Sequence, residues 1–322
     1  RGNAMPNDVR IGLALGAGAA HGWAHIGVLK EIERVGIEPE VVCGCSAGAL
    51  VGASYVSEHL EDLQQWLLTL DRLAVARFYD VSLTSGGLIA GKRIIGFFRE
   101  RFGDFDIASL PKAYGAVATD LNTGEEVWFR SGSLLDAVRA SISIPGIFEP
   151  FHLDGKGYID GGIVNPIPVS FCRALGAKIV IAVDVSSGRT SGFSGRSEPT
   201  ESEKNEPETR GDCEEDHVDD FPLASIISHK VKDAIDGILH RVWDKSNKKP
   251  GLFVVMNRSI HFMQESITRS RLACDPPDLL LCPRTGHIGL MDFHRAPEAI
   301  EAGKECVQSN EAALNRLKVG LK

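Results

Sequence analysis

The sequence predicts an α/β fold: three layers, α/β/α, around a mostly parallel central sheet. Three observations carry this reading. Short β-branched runs alternate with segments of helical period, the runs are apolar in the way of strands covered on both faces, and glycine-rich turns stand where a strand run hands over to a helix. With 322 residues, 43% of them hydrophobic and 24% charged, the chain can bury a full core, which excludes a disordered tail protein.

Taken in order, residues 9–15 read as a buried strand, and residues 25–35 as a helix with Ile26, Leu29, Ile32 and Val35 on one side. Residues 39–43 enter a second strand, followed by a small-residue helix over 47–56. Further strands are expected at 114–119, 127–130, 178–185 and 252–256. Residues 223–242 carry apolar side chains at helical spacing, with Lys230, Lys232 and Arg241 beside them. That helix packs on its own core, covers the site as a lid, or meets lipid; the pattern leaves the three readings open.

One domain is expected over residues 9–322, after a tail of residues 1–8 whose first four residues read as an expression remnant before a native Met5. A flexible acidic insertion interrupts it at about 187–220. Between Arg196 and Asp220 there are 11 acidic residues against three basic ones, which accounts for the whole net charge of −8. The remainder is neutral and has no basic excess for a nucleic-acid partner. The seven cysteines are odd in number and scattered without a C-x-x-C pair, which fits a reducing cytoplasm better than a disulfide framework or a zinc site. Cys43 and Cys45, two apart on one expected strand, read as small apolar fillers. No secretory h-region and no apolar run of about 18 residues is visible, so a cytoplasmic protein with at most peripheral contact with a membrane is expected.

Gly44-Cys45-Ser46-Ala47-Gly48 is a G-x-S-x-G pentapeptide between an expected strand and an expected helix, the context of a nucleophile elbow. Such a turn lifts Ser46 Oγ to a helix N-terminus, where free N–H groups favour developing negative charge. A tight βα turn that holds a serine by accident is the competing reading. A second loop, Gly16-Ala17-Gly18-Ala19-Ala20-His21-Gly22, is spaced G-x-G-x-x-x-G and departs from the dinucleotide fingerprint. Its backbone amides, beside a strand-top serine, suit an oxyanion hole better.

A nucleophilic serine needs a base. His217, His229, His240, His261, His287 and His294 come late enough in the chain for an α/β-hydrolase order, and none carries a local signature. Asp160, followed by Gly161 and Gly162, is the other candidate; it would need a dry pocket to raise its basicity and a direct hydrogen bond to Ser46.

Four separated motifs then occur in one order: Leu15 to Leu29 (LGAGAAHGWAHIGVL), Gly44 to Gly48 (GCSAG), Ala140 to Pro150 (ASISIPGIFEP) and Asp160-Gly161-Gly162, with Ala118-Thr119-Asp120-Leu121 between the second and third. Together they resemble the patatin-like phospholipase family, and within it the bacterial branch related to the catalytic domain of neuropathy target esterase. The resemblance spans about residues 9–300 and is silent over the acidic insertion. It implies that Ser46 is the nucleophile and Asp160 the sole base of a dyad. It also implies that Gly16, Ala17, Gly18 and Ala19 form the oxyanion hole with help from the Ala47 N–H, and that no metal or cofactor is needed. Where the family usually has Arg or Lys, this sequence has His21, so the backbone donors carry the expected stabilisation.

The implied activity is hydrolysis of lipid or other fatty-acyl carboxyl esters, phospholipid or lysophospholipid, through an acyl-enzyme. Two readings compete: a regulatory or scaffold protein on the same fold, and a Ser–His–Asp esterase. Oligomeric state and head-group preference have no signature in the sequence.

Overall fold

The structure, a computed structural model, describes residues 10–77, 89–186 and 252–319. The acidic insertion and the helix expected at 223–242 lie outside these residues. Among the described residues the strands are β1 (Ile11–Leu15), β2 (Val41–Cys45), β3 (Ala113–Asp120), β4 (Glu126–Phe129), β5 (Phe151–Leu153), β6 (Lys156–Asp160), β7 (Ile179–Val183) and β8 (Leu279–Leu281). The helices are α1 (Ala24–Arg34), α2 (Ala47–Val56), α3 (Leu60–Leu67), α4 (Arg72–Arg77), α5 (Lys92–Phe102), α6 (Leu134–Ser141), α7 (Val169–Ala174), α8 (Leu252–Cys274), α9 (Ala296–Ser309) and α10 (Glu311–Val319).

The strands form one sheet in the order β5-β6-β3-β2-β1-β7-β8, with β4 on β3. Strands β3, β2, β1, β7 and β8 run parallel, while the pairs β3–β4, β3–β6 and β5–β6 are antiparallel. A parallel strand is covered on both sides, and β1 shows it residue by residue. Leu13 and Leu15 enter the larger core beneath α1 and α2, whereas Ala14 enters the smaller core with Phe171 and Cys172 of α7. Cys43 and Cys45 are fully buried on β2, as apolar fillers should be.

The register of β3 fixes the site. Its Ala116–Thr119 stretch pairs with β4, so β2, which pairs with residues 113–117, and β6, which pairs with residues 118–120, must share the opposite edge. They abut end to end: Cys45, the last residue of β2, faces Val117, and Asp160, the last residue of β6, faces Ala118. Ser46 and Asp160 therefore leave their strands at one point, although 114 positions separate them in the chain.

The region 252–256 is not a strand. It opens α8, which runs 23 residues to Cys274. A five-residue apolar run cannot tell strand from helix, and the polar residues that follow, among them Arg258, His261 and Gln264, continue the helix that the run begins.

Candidate active site

The turn after β2 is a strained elbow. Ser46 has φ 54° and ψ −121°, a region that side-chain-bearing residues rarely occupy and that requires support from its surroundings. The flanking glycines allow it: a Cβ on Gly44 would collide with the backbone of Ala49, and one on Gly48 with the carbonyl of Leu15. The Ser46 N–H donates to Ser141 Oγ (2.8 Å), and the Ser141 hydroxyl donates to the Val117 carbonyl (2.6 Å). Both serines are buried, so the elbow is tied to the sheet by a relay that water does not reach.

Asp160 is held as firmly. Its N–H donates to the Ser143 carbonyl (2.9 Å), and its carbonyl accepts from Thr119 Oγ1 (2.9 Å). Asp160 Oδ1 accepts the Gly162 N–H (2.7 Å), which closes the short turn after β6. Burial pushes the carboxyl pKa up to about 6, against the opposing pull of the neighbouring Ser46 hydroxyl and then of the Gly162 N–H. Oδ2 is buried with no well-aligned hydrogen bond among the described residues. A carboxylate oxygen in a dry setting is more basic than an exposed one, and hydrogen bonds at such sites commonly tighten only when a ligand arrives.

The glycine loop divides into two halves. The Gly16 N–H donates to the Val183 carbonyl (3.0 Å) and the Ala17 N–H to that of Pro166 (2.9 Å). Gly16 is gripped from its other side too, because its carbonyl accepts from Nε2 of His25 (2.8 Å). Desolvation lowers the His25 pKa to about 4, so the ring is neutral at physiological pH and donates its single N–H. The N–H groups of Gly18 and Ala19 form no hydrogen bond among the described residues, and neither does that of Ala47 at the start of α2. Ala19 has φ 46°, so it and Ser46 are two of the four non-glycine residues with positive φ among the described residues. His21 is fully buried, its Nδ1 bonded to the Thr285 carbonyl (3.0 Å).

Ser46 and Ala19 open on the same cavity, about 750 Å³ of empty space including its solvent-facing part. Trp23, Leu50, Trp66, Ile142 and Phe148 line it; apart from Ser46 and the two tryptophans, every lining residue is aliphatic or phenylalanine. The chemistry of an apolar slot with one serine hydroxyl at its wall suits a hydrocarbon chain and offers nothing to a charged head group.

Several sequence candidates fall elsewhere. His217, His229 and His240 lie outside the described residues; His261 lies 3.7 Å from Glu265 within α8, and His287 is exposed beside Glu298. His294 is a hydrogen-bond partner of Arg72. Ser141 and His25 stand inside the quoted motifs, yet nothing in their spacing announced their roles, which depend on contacts across 95 and nine residues. Among the described residues no three His, Cys, Asp or Glu side chains converge as metal ligands would, and no helix is long and apolar enough to cross a membrane.

Residues 13–172 match the family model described as patatin-like phospholipase. An NTE family protein of Mycobacterium tuberculosis is 31% identical over 94% of this chain and 91% of its own length. The neuropathy target esterase sws of Drosophila melanogaster is 34% identical over 184 residues, which cover 55% of this chain and 13% of that protein. Among solved structures, VipD from Legionella pneumophila aligns with a TM-score of 0.34 and 13% identity over 54% of this chain and 50% of that one.

Proposed function

This chain belongs to the patatin-like phospholipase family of lipid hydrolases, alongside the NTE family proteins, and from that premise we propose that it cleaves fatty-acyl carboxyl esters, those of phospholipids or lysophospholipids, through a Ser46–Asp160 dyad. The observation that carries the reading is a strained Ser46 at the wall of an apolar cavity with the buried Asp160 carboxyl as its neighbour.

In the first step Asp160 takes the proton of Ser46 as Oγ attacks the ester carbonyl. The carbonyl oxygen becomes an oxyanion, and the donors suited to receive it are the uncommitted N–H groups of Gly18 and Ala19, with Ala47 at the helix start. Gly16 and Ala17, whose amides are already bonded, act as the struts of that loop. The protonated Asp160 then passes its proton to the departing alcohol, which leaves the acyl group on Ser46. In the second step Asp160 takes a proton from water, the hydroxide adds to the acyl carbonyl, and the fatty acid departs as Ser46 regains its proton. The elevated pKa matters here, because an ordinary exposed carboxylate would hold the proton too weakly.

The test is hydrolysis of a long-chain lysophosphatidylcholine and of a p-nitrophenyl ester with the same acyl chain. Wild-type protein should release fatty acid from both, and Ser46→Ala and Asp160→Asn should each lower kcat by at least about a thousand-fold. Full activity in Asp160→Asn would remove the dyad and return a histidine to consideration.

A further inference from the structure

Beyond the acyl cavity lies a second, smaller and mainly apolar space, about 320 Å³ including its solvent-facing part, lined by Ala53, Phe98, Phe102, Phe105, Leu134 and Val138, with Ser54, Ser57 and His59 as its polar members. Leu50 is the one residue that lines both. Three helices contribute to each space at helical spacing, so each presents a single face to the two in succession. Along α2 the stripe runs Ala47, Leu50, Ala53, Ser57; along α5 it runs Ile94, Phe98, Phe102; and α6 supplies Leu134 and Val138 before Ile142 at its C-cap. The two spaces are consecutive chambers between the same three helices. Trp66, which lines the first, packs edge-on against Phe98 of the second (ring centroids 5.5 Å apart), and closes part of the boundary. Leu50 stands between the two, since it lines both; it sits one turn from Ser46, its N–H 3.2 Å from the Ser46 carbonyl, and it is buried.

We propose that Leu50 is the specificity-determining residue for acyl-chain length, a partition that stops the chain at the end of the first chamber, and that the second chamber is a latent subsite for the distal methylenes of longer saturated chains. The inference rests on the acyl-hydrolase reading. A rigid wall of helix backbone would fix chain length permanently; a single leucine side chain does so only while it is there. The second chamber is lined mainly by aliphatic and aromatic groups like those of the first, and the hydroxyls of its Ser54 and Ser57 are spent on the Leu50 and Ala53 carbonyls of their own helix, so removing Leu50 opens onto a mainly apolar surface.

The experiment compares kcat/KM across saturated p-nitrophenyl esters of increasing acyl length for wild type, Leu50→Ala, Leu50→Val and the double variant Leu50→Ala/Ala53→Leu. Fluorophosphonate labelling of Ser46 in each variant establishes that its active site is folded. Leu50→Ala should move the optimum to longer chains, with each additional methylene accommodated worth about four-fold in kcat/KM. Leu50→Val should move it less and in the same direction, which preserves the test if the alanine variant does not fold. Ala53→Leu, which fills the second chamber, should cancel the gain. A profile that Leu50→Ala lowers uniformly without a shift, or a gain that survives Ala53→Leu, would overturn the partition while leaving the hydrolase intact. Wild-type protein that neither hydrolyses esters nor takes the fluorophosphonate would overturn both.

Discussion

The two halves of the site meet at Ser46 and are built on opposite principles. The proposed reacting half is held through backbone: the N–H groups of Ser46, Asp160, Gly16 and Ala17 each donate to a carbonyl or a buried hydroxyl, and Ser46 and Ala19 are held at positive φ. The proposed acyl half is made of large apolar side chains held by packing, among them the ring pairs Trp23–Phe293 and Trp66–Phe98, where packing of similar volume would largely serve. The difference teaches where sensitivity should lie. A change of one atom in the first half should be felt in kcat, whereas the second half should respond gradually and mainly through chain length.

The sharpest way to break that contrast is Ser141→Ala. It deletes one oxygen that never touches substrate, yet it frees the Ser46 N–H and unties the elbow from Val117. We expect kcat to fall by about a hundred-fold with KM little changed, because misplacement of a nucleophile by about an ångström has that effect. Steady-state kinetics on one ester decide it, and an unchanged kcat would show that the elbow holds its geometry without the relay.

Next in size is the stability of Asp160→Asn. Folding raises the Asp160 pKa from 3.8 to about 6, so the native state binds this proton more tightly than the unfolded chain. Stability from this group is therefore fully present below pH 3.8 and is lost as pH rises through the window up to about 6. The asparagine variant lacks that loss, and should be more stable than wild type by up to about 3 kcal/mol above pH 6, with the difference vanishing below pH 4. Denaturant midpoints at several pH values measure it. Equal stability at neutral pH would mean that the charge of Asp160 is compensated.

The same titration appears in catalysis. Only ionised Asp160 accepts the Ser46 proton, so kcat/KM should fall about ten-fold per pH unit below about 6, and Asp160→Asn should abolish that limb. A limb centred near the ordinary carboxylate value would place the base in wetter surroundings than the structure does.

The legibility of the sequence follows the same division. The turns at Ser46 and Asp160 were legible because close approach there excludes a Cβ, on Gly44 and Gly48 around the serine and on Gly161 and Gly162 after the aspartate; that the amides of Gly16 and Ala17, expected as oxyanion donors, are spent on Val183 and Pro166 was not. The strands β1 to β3 and the helix α2 were legible because a buried parallel strand and a small-residue helix leave continuous apolar runs. The acyl cavity was not, since Trp23, Trp66, Ile142 and Phe293 come from four separate segments, and a large apolar residue reads the same in a pocket as in a core. Ser141 and His25 were visible as letters in motifs while their partners were not. The run at 252–256 misled for a local reason, because it is too short to show a period.

The smallest effects belong to the acyl half. Below the length limit, each methylene added to the substrate should raise kcat/KM about four-fold by burial of apolar area alone, with kcat nearly constant. Rates on a short series of esters measure the slope, and a flat profile would mean that the chain lies outside the cavity.

The central claim is that Ser46 is activated by Asp160, and it is tested most directly by a fluorophosphonate with adduct mapping by mass spectrometry, since the reagent reports an activated serine whatever the natural substrate. One adduct is expected, on Ser46 of the wild-type protein, and none on Ser46 in Asp160→Ala. Labelling of Ser46 at an undiminished rate in Asp160→Ala, or no adduct in wild type under conditions that label a control hydrolase, would contradict it.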